Sequence, residues 1–161
     1  MKVVRTSDRV VLHFPAEEFR VFREILKLHA QMPPLKQRLS KSGGLPDREA
    51  SQRLLDDALA EHRAANQKRL GEWLADPARL EQTETAVRLA LSAGETEWLL
   101  QILNELRIGC WLLLGSPEEL GPPSDEAKAP HFLLMMLCEA FQAQLLEVPD
   151  REDPPRSSHE I

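Results

Sequence analysis

A chain of 161 residues with 42% apolar and 29% charged side chains can bury a substantial core, and its composition is that of one globular domain. Its net charge of −6 argues against bulk nucleic-acid binding, which needs a dense cationic face. Its most apolar window, 98–114, is interrupted by Gln101, Asn104, Glu105 and Arg107, which excludes a membrane span there.

The opening KVVRTSDRVVLHF predicts a β-hairpin. Val3–Val4 and Val10–Leu12 are strand formers on either side of the turn-forming Thr6-Ser7-Asp8. Val10, Leu12 and Phe14 alternate with Val11 and His13, the period of a half-buried strand. Pro15 suits the first position of a helix, and Glu17 and Glu18 suit its positive end. Phe19, Phe22, Ile25, Leu26 and His29 then recur at helical spacing.

Residues 32–47, MPPLKQRLSKSGGLPD, read as a mobile linker by composition. Asp47 can cap the helix that follows. That helix is expected to run to about Ala75, with Leu55, Leu59, His62, Leu70 and Trp73 on its inner face. Asp76-Pro77 marks its end and a new short turn.

Residues 84–115 echo the opening. TAVRLALSAGETEWLLQIL repeats the plan of DRVVLHFPAEEFRVFREIL: an alternating apolar run, a break, acidic or small residues, an aromatic residue, then an amphipathic helix. Val87, Leu89 and Leu91 predict a third strand near 85–91, joined to the hairpin in one sheet, since a lone hairpin is marginal. Ser92 and Glu95 form a capping-box pair. Gly115 suits the end of the helix, and Ser116-Pro117-Glu118-Glu119 reads as a second capping box. A last helix is expected over 131–146, carrying Phe132, Met135, Met136, Phe141 and Leu145. Residues 148–161 are too polar and proline-rich to pack and read as a disordered tail. The expected fold is therefore α+β, mainly α: about four principal helices with a small antiparallel sheet, in one domain over 1–147.

Charge is unevenly spread. Residues 1–41 carry nine Lys/Arg against four Asp/Glu, and the remainder eleven against twenty-two. Pairing of the basic quarter with the acidic rest of the same fold is the expected use of this asymmetry. Cys110 and Cys138 each sit in an apolar run, the signature of buried free thiols in a reducing cytoplasm. No secretory apolar segment follows Met1.

Catalytic signatures are missing from the sequence: it holds no glycine-rich phosphate loop, GxSxG, HExxH or CxxC. The five histidines show no i, i+4 metal-ligand pair. Asp57, Glu61 and His62 come nearest to a ligand cluster, and a solvated face for the two carboxylates with His62 at a partly buried core edge explains them better than a metal. Neither a metal nor a cofactor is expected. Trp73, Trp98 and Trp111 are large apolar anchors for a core or an interface.

The helix over 99–115 carries the sharpest question. From Ile108 to Leu114 it is apolar on every side and is expected to be enclosed. Its first half keeps a polar sector with Asn104, Glu105 and Arg107, and a buried Arg107 must find a carboxylate or a carbonyl. Glu105, Glu97 and the acidic loop 118–126 are available as carboxylates. A hydrogen-bonded knot fixing helix register is the leading explanation, with a ligand or partner contact second. Trp98, Asn104, Glu105, Arg107 and Trp111 are accordingly the candidate binding residues.

LNELRIGCWLLLG, residues 103–115, resembles a leucine-rich LND-(L/A)-R-L-x-L-G-x-R-L-G stretch of an uncharacterised, mainly actinobacterial family encoded beside the ClpS protease adaptor. The strand-then-helix opening DRVVLHFPAEEFRVFREIL is similar to that family's beginning. Asn104 and Arg107 match its Asn and Arg. Glu105 replaces an Asp, Leu113 a second Arg, and Phe14 a capping Asp. The resemblance implies no reaction and an association with regulated proteolysis. The expected function is that of a cytoplasmic, non-enzymatic interaction protein, self-associating or docking on a protein partner through apolar helix faces. The alternative is a small-molecule or metal-binding enzyme with a site around Asn104, Glu105 and Arg107, drawing on His62 or His131.

Overall fold

The computed structural model describes residues 1–34 and 46–147. Strand β1 (Lys2–Arg5) pairs with β2 (Arg9–Pro15) as the expected hairpin, and the expected third strand is β4 (Ala86–Ser92), antiparallel to β2. A short strand that the sequence did not reveal, β3 (Leu80–Gln82), completes the sheet in the order β1-β2-β4-β3. Three residues, two of them polar, carry no readable alternation. Pairing with β4 is what makes them a strand.

The echo between the two stretches of sequence is a structural repeat. Each half is a hairpin followed by a helix: β1, β2 and α1 (Ala16–Lys27), then β3, β4 and α3 (Ala93–Leu113). One constant offset carries Val10, Leu12 and Phe14 onto Val87, Leu89 and Leu91, and Phe22, Ile25 and Leu26 onto Leu99, Ile102 and Leu103. All twelve side chains are buried. The offset also carries the pair Val3↔Leu12 onto Leu80↔Leu89. Even the turns agree. Thr6 donates through N and Oγ1 to the Arg9 carbonyl and accepts from the Arg9 N–H; Thr83 does the same with Ala86. The two central strands run antiparallel through Leu12↔Leu89, so the halves are related by an approximate two-fold axis through the sheet.

Helix α1 begins one residue later than expected. Pro15 stays extended (φ −57°, ψ 144°), ends β2 and caps the helix, because its N–H-free position closes the pairing with Ala86. A 3-10 turn, Leu28–Gln31, continues α1 and buries His29. Met32, expected to open a mobile linker, is instead buried at 7% exposure, with its side chain seated on Gly109. Residues 35–45 of that linker and the tail 148–161 lie outside the described residues.

Helix α2 (Arg48–Ala75) is capped by Asp47 and ends at Asp76-Pro77, as its sequence predicts. Its inner face holds only in part. Leu70 and Trp73 are buried, Leu55 and Leu59 are half-buried, and His62 is exposed. A helix of 28 residues spans roughly 42 Å, more than the sheet and its covering helices occupy, so its first half stands at the margin of the body.

Helix α3 opens on the complete Ser92–Glu95 capping box. It closes before Gly115, whose φ of +91° needs a residue without Cβ. The second capping box does not form: Ser116 takes a positive φ of 54° and residues 116–120 are not helical. Helix α4 (Ala129–Leu146) starts earlier than expected, with Pro130 in its first turn. It runs back along α3, Lys128 reaching Leu114 and Gln142 reaching Leu100. Phe22 stacks between Phe14 of the sheet at 5.0 Å and Phe141 of α4 at 4.9 Å, which joins sheet, α1 and α4 into one core.

Candidate functional site

The five candidate residues of α3 do not share one site. Asn104 and Glu105 face a cleft of about 1180 Å³, walled by the first half of α2, the outer flank of α3 and Pro33–Pro34. Arg107 and Trp111 face away from it, toward α4 and the loop after α3.

Glu105 is the centre of the cleft. Its Oε2 lies 2.5 Å from Nε2 of His29, and its Oε1 accepts from Asn66 Nδ2 at 3.3 Å. Asn66 in turn accepts from Trp98 Nε1 at 3.2 Å. Three elements thus meet in one polar chain: the turn after α1, α2 and α3. Burial works to raise the Glu105 pKa, but the hydrogen bond and charge of His29, helped by His62 and Arg63, outweigh it and hold the carboxyl below its ordinary range. His29 is 1% exposed, and its Nδ1 has no hydrogen-bond partner among the described residues. Arg63 leans over the same turn, donating to the Met32 and His29 carbonyls.

Trp98, read from sequence as a binding candidate, is an anchor inside the protein. It is 4% exposed, stacks edge-on against Trp73 at 5.8 Å and carries the Arg69 guanidinium over its ring at 4.2 Å. Asn66, Arg69 and Trp73 recur at helical spacing on α2, so this ring holds the second half of α2 against α3. His29, Asn66 and Arg63 were not singled out in the sequence. His29 fell on an apolar stripe, and the other two lie on a helix face whose partner sequence alone does not reveal.

Arg107 finds a carbonyl, that of the Gln142 side-chain amide. Its Nη1 donates to Gln142 Oε1 at 3.2 Å, and Gln142 Nε2 donates to the Leu100 carbonyl at 3.2 Å. The arrangement is a knot between α3 and α4, made within one chain, that fixes how the helices register. The second half of α3 is not enclosed as expected. Trp111 and Leu113 stand 36% and 38% exposed, with Trp111 Nε1 donating to the Pro117 carbonyl. The loop after Gly115 is not helical over 116–120 and covers the end of α3 only in part.

A separate feature is the outer side of α4. Ala129, Leu133, Met136, Ala140 and Ala143 are all exposed, Leu133 by 60% and Met136 by 43%. Their spacing of four and three residues makes one straight stripe. The opposite side, Leu134, Met135, Cys138, Phe141 and Leu145, is in the core.

Asp57 and Glu61 are exposed, as a solvated face requires, and the described residues hold no group of three or more His, Cys, Asp or Glu able to grip a metal. Both cysteines are buried and free. Burial pushes the Cys110 thiol up to about 11, and burial with Cys110 nearby pushes Cys138 up to about 12, so neither is a nucleophile near neutral pH. No helix of the described residues is long and apolar enough to cross a membrane. Compared with family models, curated proteins and solved structures, the chain matches none.

Proposed function

We propose that the protein is a non-enzymatic interaction protein that associates with a second copy of itself through the outer face of α4. The observation that carries this reading is the exposed stripe Ala129, Leu133, Met136, Ala140, Ala143 on a helix already apolar on its inner side. A helix apolar all round is ordinarily covered all round.

A second copy fits this face for two reasons. Across 129–146 the only formal charge is Glu139, so two such faces meet with little repulsion although each chain carries −6. The stripe is also self-complementary about Met136. In an antiparallel pairing Ala129 faces Ala143 of the second copy, Leu133 settles beside Ala140, and Met136 meets its own counterpart, which a two-fold interface requires. Small residues at the ends let the helices approach, and the large ones fill the middle.

Sedimentation equilibrium at about 100 μM protein, a range that detects micromolar dimers, tests the reading. Wild type is expected to sediment as a dimer. Met136→Glu, with an unchanged helical circular-dichroism spectrum, is expected to sediment as a monomer, because two buried carboxylates would face each other. A monomeric wild type, or a variant that stays dimeric, overturns it.

The resemblance of residues 103–115 to a family with no assigned reaction supports the same class of function. Residence in the cytoplasm belongs to the same reading and is supported by the two free thiols. An enzyme site joining Asn104, Glu105 and Arg107 draws no support from their placement, since Arg107 is tied to Gln142 on the other flank of α3.

A further inference from the structure

Three sulfurs meet in the core, away from both the outer face of α4 and the cleft. Met32 Sδ lies 3.9 Å from Cys110 Sγ. Gly109 makes that approach possible, since a Cβ there would strike Met32 Cβ, Cγ and Sδ at 2.8–3.0 Å. Glycine inside a helix is unfavourable, and here its place is the seat of a thioether. Cys138 comes to the same level from α4. Arg107 reaches Gln142 and Lys128 reaches the Leu114 carbonyl, so α3 and α4 run antiparallel. Three residues beyond Arg107 on α3 and four before Gln142 on α4 advance about 4.5 and 6 Å in the same direction, which brings Cys110 and Cys138 side by side. Both are fully buried, and Cys138 is within electrostatic reach of Cys110.

Donor chemistry selects the ion. Two thiolates and a thioether are soft ligands, the set that suits copper(I). A zinc site takes four ligands drawn from Cys, His and carboxylates, and the described residues group no three of these. A metal–sulfur bond of about 2.3 Å sets the sulfurs of a trigonal site about 4 Å apart, close to the spacing already present between Met32 and Cys110. Binding breaks two S–H bonds, forms two copper–thiolate bonds and sends two protons to solvent, with no change of oxidation state. The centre then carries one net negative charge. Arg107 is placed to offset it. Its charge acts on Cys138, it is half-buried, and it donates to a neutral amide with no carboxylate paired to it among the described residues.

We infer that Met32, Cys110 and Cys138 bind one copper(I) ion through a thioether and two thiolates, with Arg107 balancing the charge. The inference does not depend on α4 self-association.

The full chain, titrated without oxygen against copper(I) buffered by bicinchoninate, tests it. Samples are equilibrated overnight because the ion must enter past the buried Met32. One equivalent of copper is expected to leave the indicator. Affinity should rise by about a hundredfold per pH unit near neutrality, because two protons leave on binding. Cys138→Ala should weaken binding by about a hundredfold or more, and Met32→Leu, a volume-conserving change, by about tenfold. X-ray absorption of the loaded wild type should show three sulfur neighbours at about 2.3 Å, a count that stands even where Cys138→Ala fails to fold. No transfer of copper from the indicator, an affinity independent of pH, an unchanged affinity in either variant, or a copper environment with two sulfurs or with a nitrogen would overturn the inference.

Discussion

Asn66 shows how much a single side chain can hold. It is 7% exposed, accepts from Trp98 Nε1 and donates to Glu105. Asn66→Ala removes both contacts and strands the buried indole N–H. The expected loss is about 2 kcal/mol, the usual range for an orphaned buried donor, read as a lower urea midpoint. An unchanged midpoint would mean that water reaches the indole. Gly109 is the second such residue. A Cβ there would stand 2.8 Å from the Met32 Cβ, an atom fixed by its backbone. Alanine in a helix gains about 1 kcal/mol over glycine, but overpacking costs about 1–3 kcal/mol. Gly109→Ala should therefore destabilise, again by urea titration, and a stabilised variant would show that Met32 yields freely.

At the scale of the element, the start of α3 joins local and distant contacts. Ser92 and Glu95 satisfy each other's backbone donors, which the sequence spelled out three residues apart. Arg79, from the turn after α2, adds an ion pair to Glu95 that no local pattern announces. Burial raises the Glu95 pKa, while the Ser92 backbone hydrogen bond and Arg79 lower it more, so its carboxyl is held below the ordinary range. The folded protein thus binds this proton less readily than the unfolded chain. Its contribution is complete above the unfolded pKa of about 4.3 and is lost as pH falls through the folded value. Between about pH 5 and pH 3 the thermal midpoint of wild type should fall more steeply than that of Glu95→Gln. Parallel curves would remove Glu95 from the acid response; the Glu105 share remains in both proteins.

At the scale of the whole molecule, two hairpin–helix units make one sheet, and each central strand finds its long partner only in the other unit. A single unit would leave the edge of β2 or β4 bare and one face of its helix uncovered. The polypeptide between the units contains α2, whose second half docks through Leu70, Trp73 and the Trp98 contacts and whose first half stands off to form the cleft. Helix α4 closes the core on one side and leaves the Leu133–Met136 stripe on the other. The dimer expected from that stripe belongs to this scale, because its two-fold symmetry depends on a face that no single contact defines.

Short-range regularities were legible. Alternation found β2 and β4, helical spacing found α1, α3 and the inward side of α4, and turn and capping residues placed most ends. The likeness of 84–115 to the opening exposed the repeat before its register was visible. These features depend on residues within a few positions of one another, where backbone geometry leaves few choices. Tertiary structure decided the rest: that a three-residue polar strand pairs, that Met32 packs on Gly109, that Arg107 takes Gln142 and not a carboxylate, and that His29 meets Glu105 across 76 positions. Such pairings are set by the angle and offset at which helices dock, and many sequence-distant partners satisfy the same local pattern. The sequence by itself therefore determined the elements and their polar exceptions, and only docking of those elements decided which exceptions line a cleft and which tie two helices together.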